Sequence, residues 1–167
     1  MPPPPQDPFV EALIALLPNL RRFALSLARR ADLADDLVQI TAERALAARD
    51  RHDPATRLDA WLFRILRNAF IDMTRRDRVR GVTVDVDDAP ESAVLDGRTV
   101  TEATLMLGSA QAAIDALPEA QRQVMILVCL EDLSYAEAAA VLGIPVGTVM
   151  SRLSRARLAV ARKLGIA

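Results

Sequence analysis

The stretch that decides the fold is residues 134–163, SYAEAAAVLGIPVGTVMSRLSRARLAVARK. A first helix is predicted to begin at Ser134, whose hydroxyl can cap free backbone amides, and Glu137 three residues later completes a capping box. Gly143 can adopt the left-handed conformation that ends a helix, and Pro145 sets the backbone angle for the start of the next one. The sequence therefore predicts two helices joined by a tight turn.

Each of these helices has an apolar side that is expected to face a core. In the first helix the small apolar face is predicted to consist of Ala136, Ala139, Ala140 and Leu142. In the second, a projection at about 100° per residue places one apolar stripe along Val149, Leu153, Ala156, Val160 and Leu164. Roughly opposite fall four polar residues, Ser151, Ser154, Arg155 and Arg162. The second helix is thus predicted to be amphipathic.

The charge of the second helix indicates nucleic-acid binding. This helix carries five positive residues and no negative one. Arg152, Arg157 and Lys163 flank the apolar stripe, where they can reach phosphates, and the serines and Arg155 are placed to meet base edges in a major groove. A solvated basic helix is the alternative, but the capped helix and the Gly-x-Pro turn before it favour a DNA-binding helix-turn-helix.

Composition excludes several classes of protein. The chain has 167 residues, 51% hydrophobic and 26% charged, which is ordinary for a folded protein. No apolar run approaches the roughly 18 residues of a membrane span, and the N-terminal MPPPPQDP lacks the features of a signal peptide. We therefore expect a cytoplasmic protein without direct membrane insertion. The single cysteine, Cys129, excludes an internal disulfide, and its apolar context predicts a buried structural thiol.

Catalysis and metal binding are not expected either. The chain has one histidine, His52, and one cysteine, and the two are far apart in sequence. They provide neither a cluster of metal ligands nor a pair of nucleophile and base. The sequence therefore predicts a protein that is not an enzyme and that has no metal, no cofactor and no small-molecule substrate.

Charge divides the chain into three parts. Residues 1–80 carry 14 basic and 11 acidic residues (+3), residues 81–103 carry 1 and 6 (−5), and residues 104–167 carry 6 and 5 (+1). The middle part has two Gly, one Pro and no sustained helical period, which predicts a flexible acidic linker. The flanking parts show helical patterns without a clear strand. The predicted fold is all-α, with small helical domains at residues 8–80 and 104–167 and a disordered N-terminus at residues 1–7.

The first domain is predicted to contain three or four helices. A helix from about Pro8 to Arg30 has the apolar stripe Phe9, Leu13, Leu16, Leu17, Leu20, Phe23 and Leu27. A second starts at Asp32, with Leu33, Leu37, Ile40 and Ala45 inward and Asp35, Asp36, Gln39 and Glu43 outward. After a polar loop, residues 60–76 predict a helix with Leu62, Ile65, Leu66, Ala69 and Met73 on one face and Arg64, Arg67, Asn68 and Arg75 on another. Residues 64–80 hold 6 Arg against 2 Asp, so this helix is also basic.

Three stretches together resemble a known family. The runs DLADDLVQITAERAL, AWLFRILRNAFIDMTRR and ALPEAQRQVMILVCLEDLSYAEAAAVLGIPVGTVMSRLSRAR follow one another in the order and spacing of the extracytoplasmic-function (ECF) group of the sigma-70 family. The resemblance covers residues 8–80 and 104–165, with a short linker in place of a larger middle domain. It implies a promoter-recognition subunit of bacterial RNA polymerase, with domains similar to sigma regions 2 and 4.

The resemblance also implies protein partners. Core RNA polymerase would be bound through the clamp helices of its largest subunit and the flap of its second-largest subunit. The residues that match the clamp-binding helix are Asp35, Asp36, Gln39 and Glu43. Because members of this group are commonly held inactive by an anti-sigma factor, an anti-sigma factor is a further expected partner.

Promoter DNA is the third implied partner. The loop from His52 to Leu58 and the helix bearing Asn68 match the part that melts the minus-ten element and holds an extruded base, with Arg64, Arg67 and Arg75 nearby. For the minus-thirty-five element, Ser134 and Thr148 match phosphate contacts, and the recognition helix supplies Met150, Ser151, Arg152, Ser154, Arg155 and Arg157. Met150 stands where the family often has Lys or Arg. Trp61 also matches the family and is expected to anchor the core.

A self-sufficient helix-turn-helix regulator is the alternative function, with residues 1–80 as a sensor or dimerisation domain. It predicts a stable dimer and a palindromic site, whereas a sigma factor predicts an asymmetric two-part promoter. The net charge of −1 agrees better with a sigma factor, because a free-standing DNA-binding protein relies on a larger surplus of positive charge.

Overall fold

A computed structural model describes residues 7–81 and 102–166, with side chains from residue 105 in the second range. In these ranges the regular structure is entirely helical, and the helices fall into two compact units. The predicted all-α class with two helical domains is thereby confirmed. The predicted flexible acidic linker lies outside the described residues except at its ends, as does the predicted disordered N-terminus except for Asp7.

Three helices form the first unit. α1 spans Pro8–Ala28, α2 spans Ala31–Ala48, a 3-10 turn spans Arg49–Arg51, and α3 spans Leu58–Val79. Each helix packs against the other two. Asp7 caps α1 by accepting a hydrogen bond from the Phe9 amide at 3.0 Å. Its carboxylate thereby satisfies an amide that has no partner within the helix.

The core of the first unit contains two buried phenylalanines. The rings of Phe23 in α1 and Phe63 in α3 meet edge to face, with centroids 5.4 Å apart and planes at 80°. Leucines from all three helices are also fully buried, namely Leu20, Leu37, Leu62 and Leu66. An aromatic pair of this kind buries a large apolar surface in one defined geometry. It therefore fixes how α1 and α3 face each other.

The predicted inward faces of α1 and α3 are largely confirmed. In α1 the buried members of the predicted stripe are Leu13, Leu20, Phe23 and Leu27, and in α3 they are Leu62, Leu66 and Ala69. Phe63 is missing from the predicted α3 stripe although it is fully buried, whereas Ile65 and Met73 are only half-buried. The inward face of α3 is thus rotated toward Phe63, because that ring packs on Phe23.

In α2 the structure corrects the predicted inward face at two positions. Leu37 and Ala45 are buried as expected, but Leu33 and Ile40 are only half-buried, and Thr41 is fully buried. The Thr41 hydroxyl donates a hydrogen bond to the Leu37 carbonyl at 2.7 Å. Because this bond satisfies the hydroxyl, the side chain can occupy the core without an unpaired polar group.

Four helices form the second unit. α4 spans Glu102–Asp115, α5 spans Glu119–Met125 and runs into a π-helical turn at Ile126–Leu130, α6 spans Tyr135–Leu142, and α7 spans Val146–Lys163. Arg122 on α5 is buried and donates a hydrogen bond to the Leu117 carbonyl at 2.7 Å. The same guanidinium lies 3.4 Å from the Asp115 carbonyl. A cation therefore lies at the C-terminal end of α4, where the helix dipole favours positive charge.

The predicted turn between α6 and α7 is confirmed. The Ser134 hydroxyl accepts a hydrogen bond from the Glu137 amide at 3.1 Å, and the Glu137 carboxylate accepts one from the Ser134 amide at 2.7 Å. Gly143 ends α6 in the left-handed conformation, with φ of 63°, and Pro145 immediately precedes α7. The two helices meet at a bend of 102°. This is the arrangement of a helix-turn-helix.

The predicted inward face of α6 is wrong at two positions. The buried residues are Ala138, Ala139, Val141 and Leu142. Ala136 and Ala140, which were predicted to face inward, are exposed. The helix packs on α7 and on the π-helical turn through the side that carries its two largest aliphatic residues. Exposing alanine methyl groups costs much less than exposing Val141 or Leu142.

Cys129 is exposed, so the predicted buried thiol is wrong. In the surrounding apolar run, Val124, Met125, Ile126 and Leu127 are buried, whereas Val128 is half-buried and Leu130 is exposed. The Glu131 amide donates to the Ile126 carbonyl at 3.0 Å, a bond that spans five residues. Because such a π-helical turn holds more residues than an α-helical one, it rotates the side chains that follow away from the expected direction.

In the described ranges no single helix is long and apolar enough to span a membrane. Helices α6 and α7 pass the same test only when they are taken together, across their 102° bend. In this pair Val141, Leu142, Val149 and Leu153 are buried within the protein, whereas Met150 and Leu158 are exposed.

Replacing Phe63 with Ala should lower the free energy of unfolding of the first unit by about 3–5 kcal/mol, because it leaves a cavity beside Phe23. The matched control is Ile71→Ala on the same helix, which removes an exposed apolar side chain and should change stability by less than about 0.5 kcal/mol. Urea denaturation followed by far-ultraviolet circular dichroism compares the two variants. Equal losses would contradict the assignment of Phe63 to the centre of this core.

Replacing Gly143 with Ala should destabilise the second unit by about 1–2 kcal/mol, because a β-carbon is strained at positive φ. Gly147 provides the control, since it lies in α7 without a positive φ and with open space where a β-carbon would be added. Gly147→Ala should stabilise by about 0.4–1 kcal/mol. Native-state hydrogen exchange of the α6 and α7 amides measures both changes, and the same sign for both would refute this account of the turn.

Candidate nucleic-acid and polymerase interfaces

The polar face of α7 lies opposite its buried face. Val149, Leu153 and Ala156 are buried, and Val160 and Leu164 of the predicted stripe are half-buried. The exposed residues include Met150, Ser151, Ser154, Arg155 and Arg162. The structure therefore brings the predicted base-contacting residues together on one side of one helix. No acidic residue interrupts this face, because α7 contains none.

Two hydroxyl groups beside this face have defined partners. The Ser151 hydroxyl donates to the Thr148 carbonyl at 3.1 Å, so its oxygen remains available to accept a hydrogen bond. The Ser134 hydroxyl accepts from the Glu137 amide, so its hydrogen remains available for an acceptor such as a phosphate oxygen. Thr148 and Arg152 are half-buried at the edge of the α7 face.

Arg157 lies at one edge of this predicted base-contacting face, seven residues after Met150 and beside the π-helical turn. Its guanidinium is 4.0 Å from the Cys129 sulfur. The hydrogen bond to Cys129 raises the pKa of Arg157 above its usual value, and nearby Tyr135 acts in the same direction. Arg157 therefore stays positively charged next to the N-terminal end of α6. No local sequence pattern predicts this contact, since its two partners are 28 residues apart.

The predicted minus-ten residues of α3 share one side of that helix. Arg64, Asn68 and Arg75 are exposed, and Arg67 is half-buried. Two further residues, Ile71 and Arg78, are exposed on the same side, three residues after Asn68 and Arg75 respectively. They were not among the predicted residues, although extending the helical period from Arg64 would have found them. We refer to this side of α3, from Arg64 to Arg78, as the basic strip. It is about 21 Å long at a rise of 1.5 Å per residue.

His52 lies next to α3, between the 3-10 turn and the polar loop. Its ring is half-buried, with its centroid 5.0 Å from that of Trp61, and its Nε2 lies 3.0 Å from the Thr56 carbonyl. Trp61 is half-buried as well, and its other ring contact is Phe9. Trp61 thus anchors the edge of the core, not its centre, and places His52 beside the loop.

The four acidic and amide side chains predicted to contact polymerase project outward from α2. Asp35, Asp36, Gln39 and Glu43 are all exposed, and three of them follow one another at intervals of four residues. Asp35 pairs with Arg21 of α1 at 2.8 Å. The Gln39 amide donates to the Glu43 carboxylate at 3.2 Å. The structure therefore gathers these residues into one polar surface along α2.

Both units match known families. Residues 13–80 match the family described as Sigma-70 region 2, and residues 107–160 match the family described as Sigma-70, region 4. The first match includes the α2 surface and the basic strip of α3. The second includes the helix-turn-helix as far as residue 160. Apart from Arg162, the surfaces described above therefore lie within the two matched stretches.

Individual proteins agree with these families. The ECF RNA polymerase sigma factor EcfG of Rhodopseudomonas palustris (strain TIE-1) is 43% identical over 154 residues, which are 92% of this chain and 83% of EcfG. The sigma factor RpoE of Bartonella quintana, solved in complex with the anti-sigma factor NepR, shows 35% identity and a TM-score of 0.77 over 95% of this chain and 97% of that chain.

A further solved structure is that of CnrH in complex with the cytosolic domain of CnrY. It shows 29% identity and a TM-score of 0.63, and the match covers 94% of this chain and 87% of that chain. These similarities extend through both units and keep their order along the chain. With regions 2 and 4 both matched and a relative 43% identical along most of its length, the chain belongs to the ECF group of RNA polymerase sigma factors.

Proposed function

We propose that this sigma factor binds core RNA polymerase, directs it to promoters through a minus-thirty-five and a minus-ten element, and assists promoter melting. The observation that carries this proposal is the face of α7, where Ser151, Ser154 and Arg155 are exposed opposite a buried apolar stripe. It gives a polymerase subunit the means to select a DNA sequence. The protein then acts by binding, in the cytoplasm with the polymerase, and no observation favours an autonomous regulator.

At the minus-thirty-five element, α7 enters the major groove. Arg155 can donate two parallel hydrogen bonds to O6 and N7 of a guanine. Ser151, whose hydrogen is held by the Thr148 carbonyl, can accept from a base amino group. Ser134 and Thr148 donate to phosphates, and Arg152 and Arg157 add positive charge on either side. Met150 can make an apolar contact with a thymine methyl group. The Lys or Arg that the family often has at this position would instead contact a phosphate or a guanine.

At the minus-ten element, the basic strip of α3 lies along the DNA while the loop from His52 to Leu58 receives an extruded base. Arg64, Arg67 and Arg75 neutralise phosphates, and the Asn68 amide can both donate to and accept from a base edge. His52 and Trp61 supply aromatic surface next to the loop. Stacking of this kind stabilises an unpaired base by about 1–3 kcal/mol, which opposes re-pairing of the strands.

Core polymerase binds the α2 surface through the clamp helices of its largest subunit, and the second unit binds the flap of its second-largest subunit. Asp35, Asp36, Gln39 and Glu43 present carboxylate and amide groups that suit a basic or polar partner. Asp35 is already paired with Arg21, so Asp36 is the more available carboxylate. A surface of this kind favours rapid, specific association.

We also propose regulation by an anti-sigma factor. Two of the similar structures, RpoE and CnrH, are complexes: RpoE with the anti-sigma factor NepR, and CnrH with the cytosolic domain of CnrY. Both match this chain through both units, so an anti-sigma factor is the expected inhibitor. Adding such a protein should prevent association with core polymerase.

The direct test is transcription in vitro with bacterial core polymerase, this protein and a pool of randomised promoters, followed by sequencing of the transcripts. We expect transcripts that require the protein and that share an asymmetric two-part motif. Duplex binding to a palindromic site, with neither core association nor transcripts, would instead support the autonomous regulator.

Replacing Arg155 with Ala should weaken promoter binding by the holoenzyme by about 1–3 kcal/mol and relax preference at particular minus-thirty-five bases. Arg152→Ala is the comparison, since loss of a phosphate contact should weaken all sequences alike and lower the salt dependence by about one charge. Competition among promoter variants at several salt concentrations separates the two effects. If both variants alter base preference in the same way, the proposed roles of these arginines are wrong.

Replacing Asp35 and Asp36 together with Arg should abolish association with core polymerase while helical content stays unchanged. Loss of the exposed ion pair with Arg21 should cost no more than about 1 kcal/mol of stability. Asp77→Arg, on α3, makes a charge reversal outside the proposed interface and should bind core normally. Size-exclusion chromatography with core polymerase and circular dichroism give both readouts, and a loss of helicity would mean that these carboxylates are structural.

A further inference from the structure

The loop from His52 to Leu58 has local hydrogen bonds but little burial. The Asp53 carboxylate accepts from the Ala55 amide at 2.9 Å, and the Asp53 carbonyl accepts from the Thr56 amide at 2.9 Å. Residues 53–57 are all exposed. These bonds give the loop a shape, but they do not attach it to the core. At its far end, the Arg57 guanidinium donates to the Asp59 carboxylate of α3 at 2.7 Å. The placement of the loop relative to α3 therefore depends on this pair and on the contacts on either side of the loop.

Both ends of the loop are held by the start of α1. Ahead of the loop, the Arg49 guanidinium donates to the Asp7 carboxylate at 2.6 Å. After the loop, the Trp61 ring meets the Phe9 ring edge-on, with centroids 6.4 Å apart and planes at 71°. Trp61 also contacts His52, the first loop residue. We refer to Asp7 and Phe9 together as the α1 brace.

The α1 brace is itself held in place by the helix. One carboxylate oxygen of Asp7 accepts from the Phe9 amide as the cap of α1, while the other accepts from Arg49. The cap therefore orients the carboxylate toward Arg49. Phe9 follows in the first turn, where the helical backbone restricts its direction. One helix terminus thus fixes two contacts that reach the chain on either side of the loop.

We propose that the α1 brace positions the loop for base capture, so that Asp7 and Phe9 are positioning residues for promoter opening although neither belongs to the proposed DNA surface. The inference rests on the proposed role of the loop in melting. A loop that is already in place loses less conformational freedom when it captures a base than a loop that must first be ordered. Weakening the brace should therefore slow opening more than it weakens binding to polymerase.

The experiment compares promoter opening by full-length holoenzyme on two templates: duplex, and the same promoter with the minus-ten region unpaired by mismatches. A fluorescent adenine analogue in the non-template strand reports opening on the duplex. Phe9→Ala should slow opening of the duplex by about fivefold, and Phe9→Leu, which keeps apolar bulk if Phe9→Ala folds poorly, should slow it by about threefold. Transcription from the mismatched template and affinity for core polymerase should stay at the wild-type level, because strands already apart require no melting.

A double-mutant cycle tests whether the ion pair between Asp7 and Arg49 contributes to promoter opening. Asp7→Asn keeps the α1 cap, because Asn caps as well as Asp, but removes the charge. Asp7→Asn and Arg49→Gln should each slow opening about twofold, as expected for an exposed pair, and the double variant should be no slower than either single one. Asp72→Asn breaks a different, half-buried ion pair, with Arg44 at 3.1 Å, and should open duplex at the wild-type rate.

His52→Ala distinguishes failure of this inference from failure of the proposed function. If His52→Ala slows duplex opening but the Phe9 and Asp7 variants do not, the loop acts in melting and the brace does not position it. If His52→Ala also leaves opening unchanged, the role of the loop is wrong, and the brace with it. Equal losses on the duplex and the mismatched template, or loss of core binding, would show a merely structural role for the brace.

Discussion

The edge-to-face contact between Phe23 and Phe63 fixes the orientation of α3, and the proposed minus-ten surface depends on that orientation. Once Phe63 points into the core, the helical period leaves Arg64, Asn68 and Arg75 on the outside. A rotation of α3 by one residue, about 100°, would move some of these side chains toward the core and expose apolar ones. The position of the cations on the surface is therefore a consequence of how two aromatic rings pack.

The orientation of α7 is also fixed from its inner side, but it depends on a backbone conformation and not on a contact between rings. Gly143 in the left-handed conformation sets the direction in which the chain leaves α6. Val149 and Leu153 then set the rotation of α7 by entering the core. Both proposed DNA surfaces are thus the outer sides of helices whose inner sides are fixed. The residues on the outer sides do not enter the core. They can therefore vary in sequence without disturbing its packing.

Features that depend on neighbouring residues could be predicted from the sequence, and features that depend on distant contacts could not. The capping box of Ser134, the left-handed Gly143 and the outward side of α2 follow from local spacing, and the structure has all three. The alanine-rich α6 could not be oriented, because one alanine differs little from another in its gain from burial. Cys129 was misplaced because a π-helical turn interrupts the α-helical period. The pair of Asp7 with Arg49 joins residues 42 positions apart and has no local signal.

The proposed site residues also divide into those that local spacing predicts and those that depend on distant contacts. Sequence and resemblance together predicted which residues of α2, α3 and α7 form the proposed surfaces, but the partner of Arg157 and the contacts of His52 came only from the structure. Trp61 is the only tryptophan of the chain and lies between Phe9 and His52, directly beside the loop. Its intrinsic emission is therefore a label-free reporter at the point where an extruded base would arrive, in a protein whose other domain contributes no tryptophan signal.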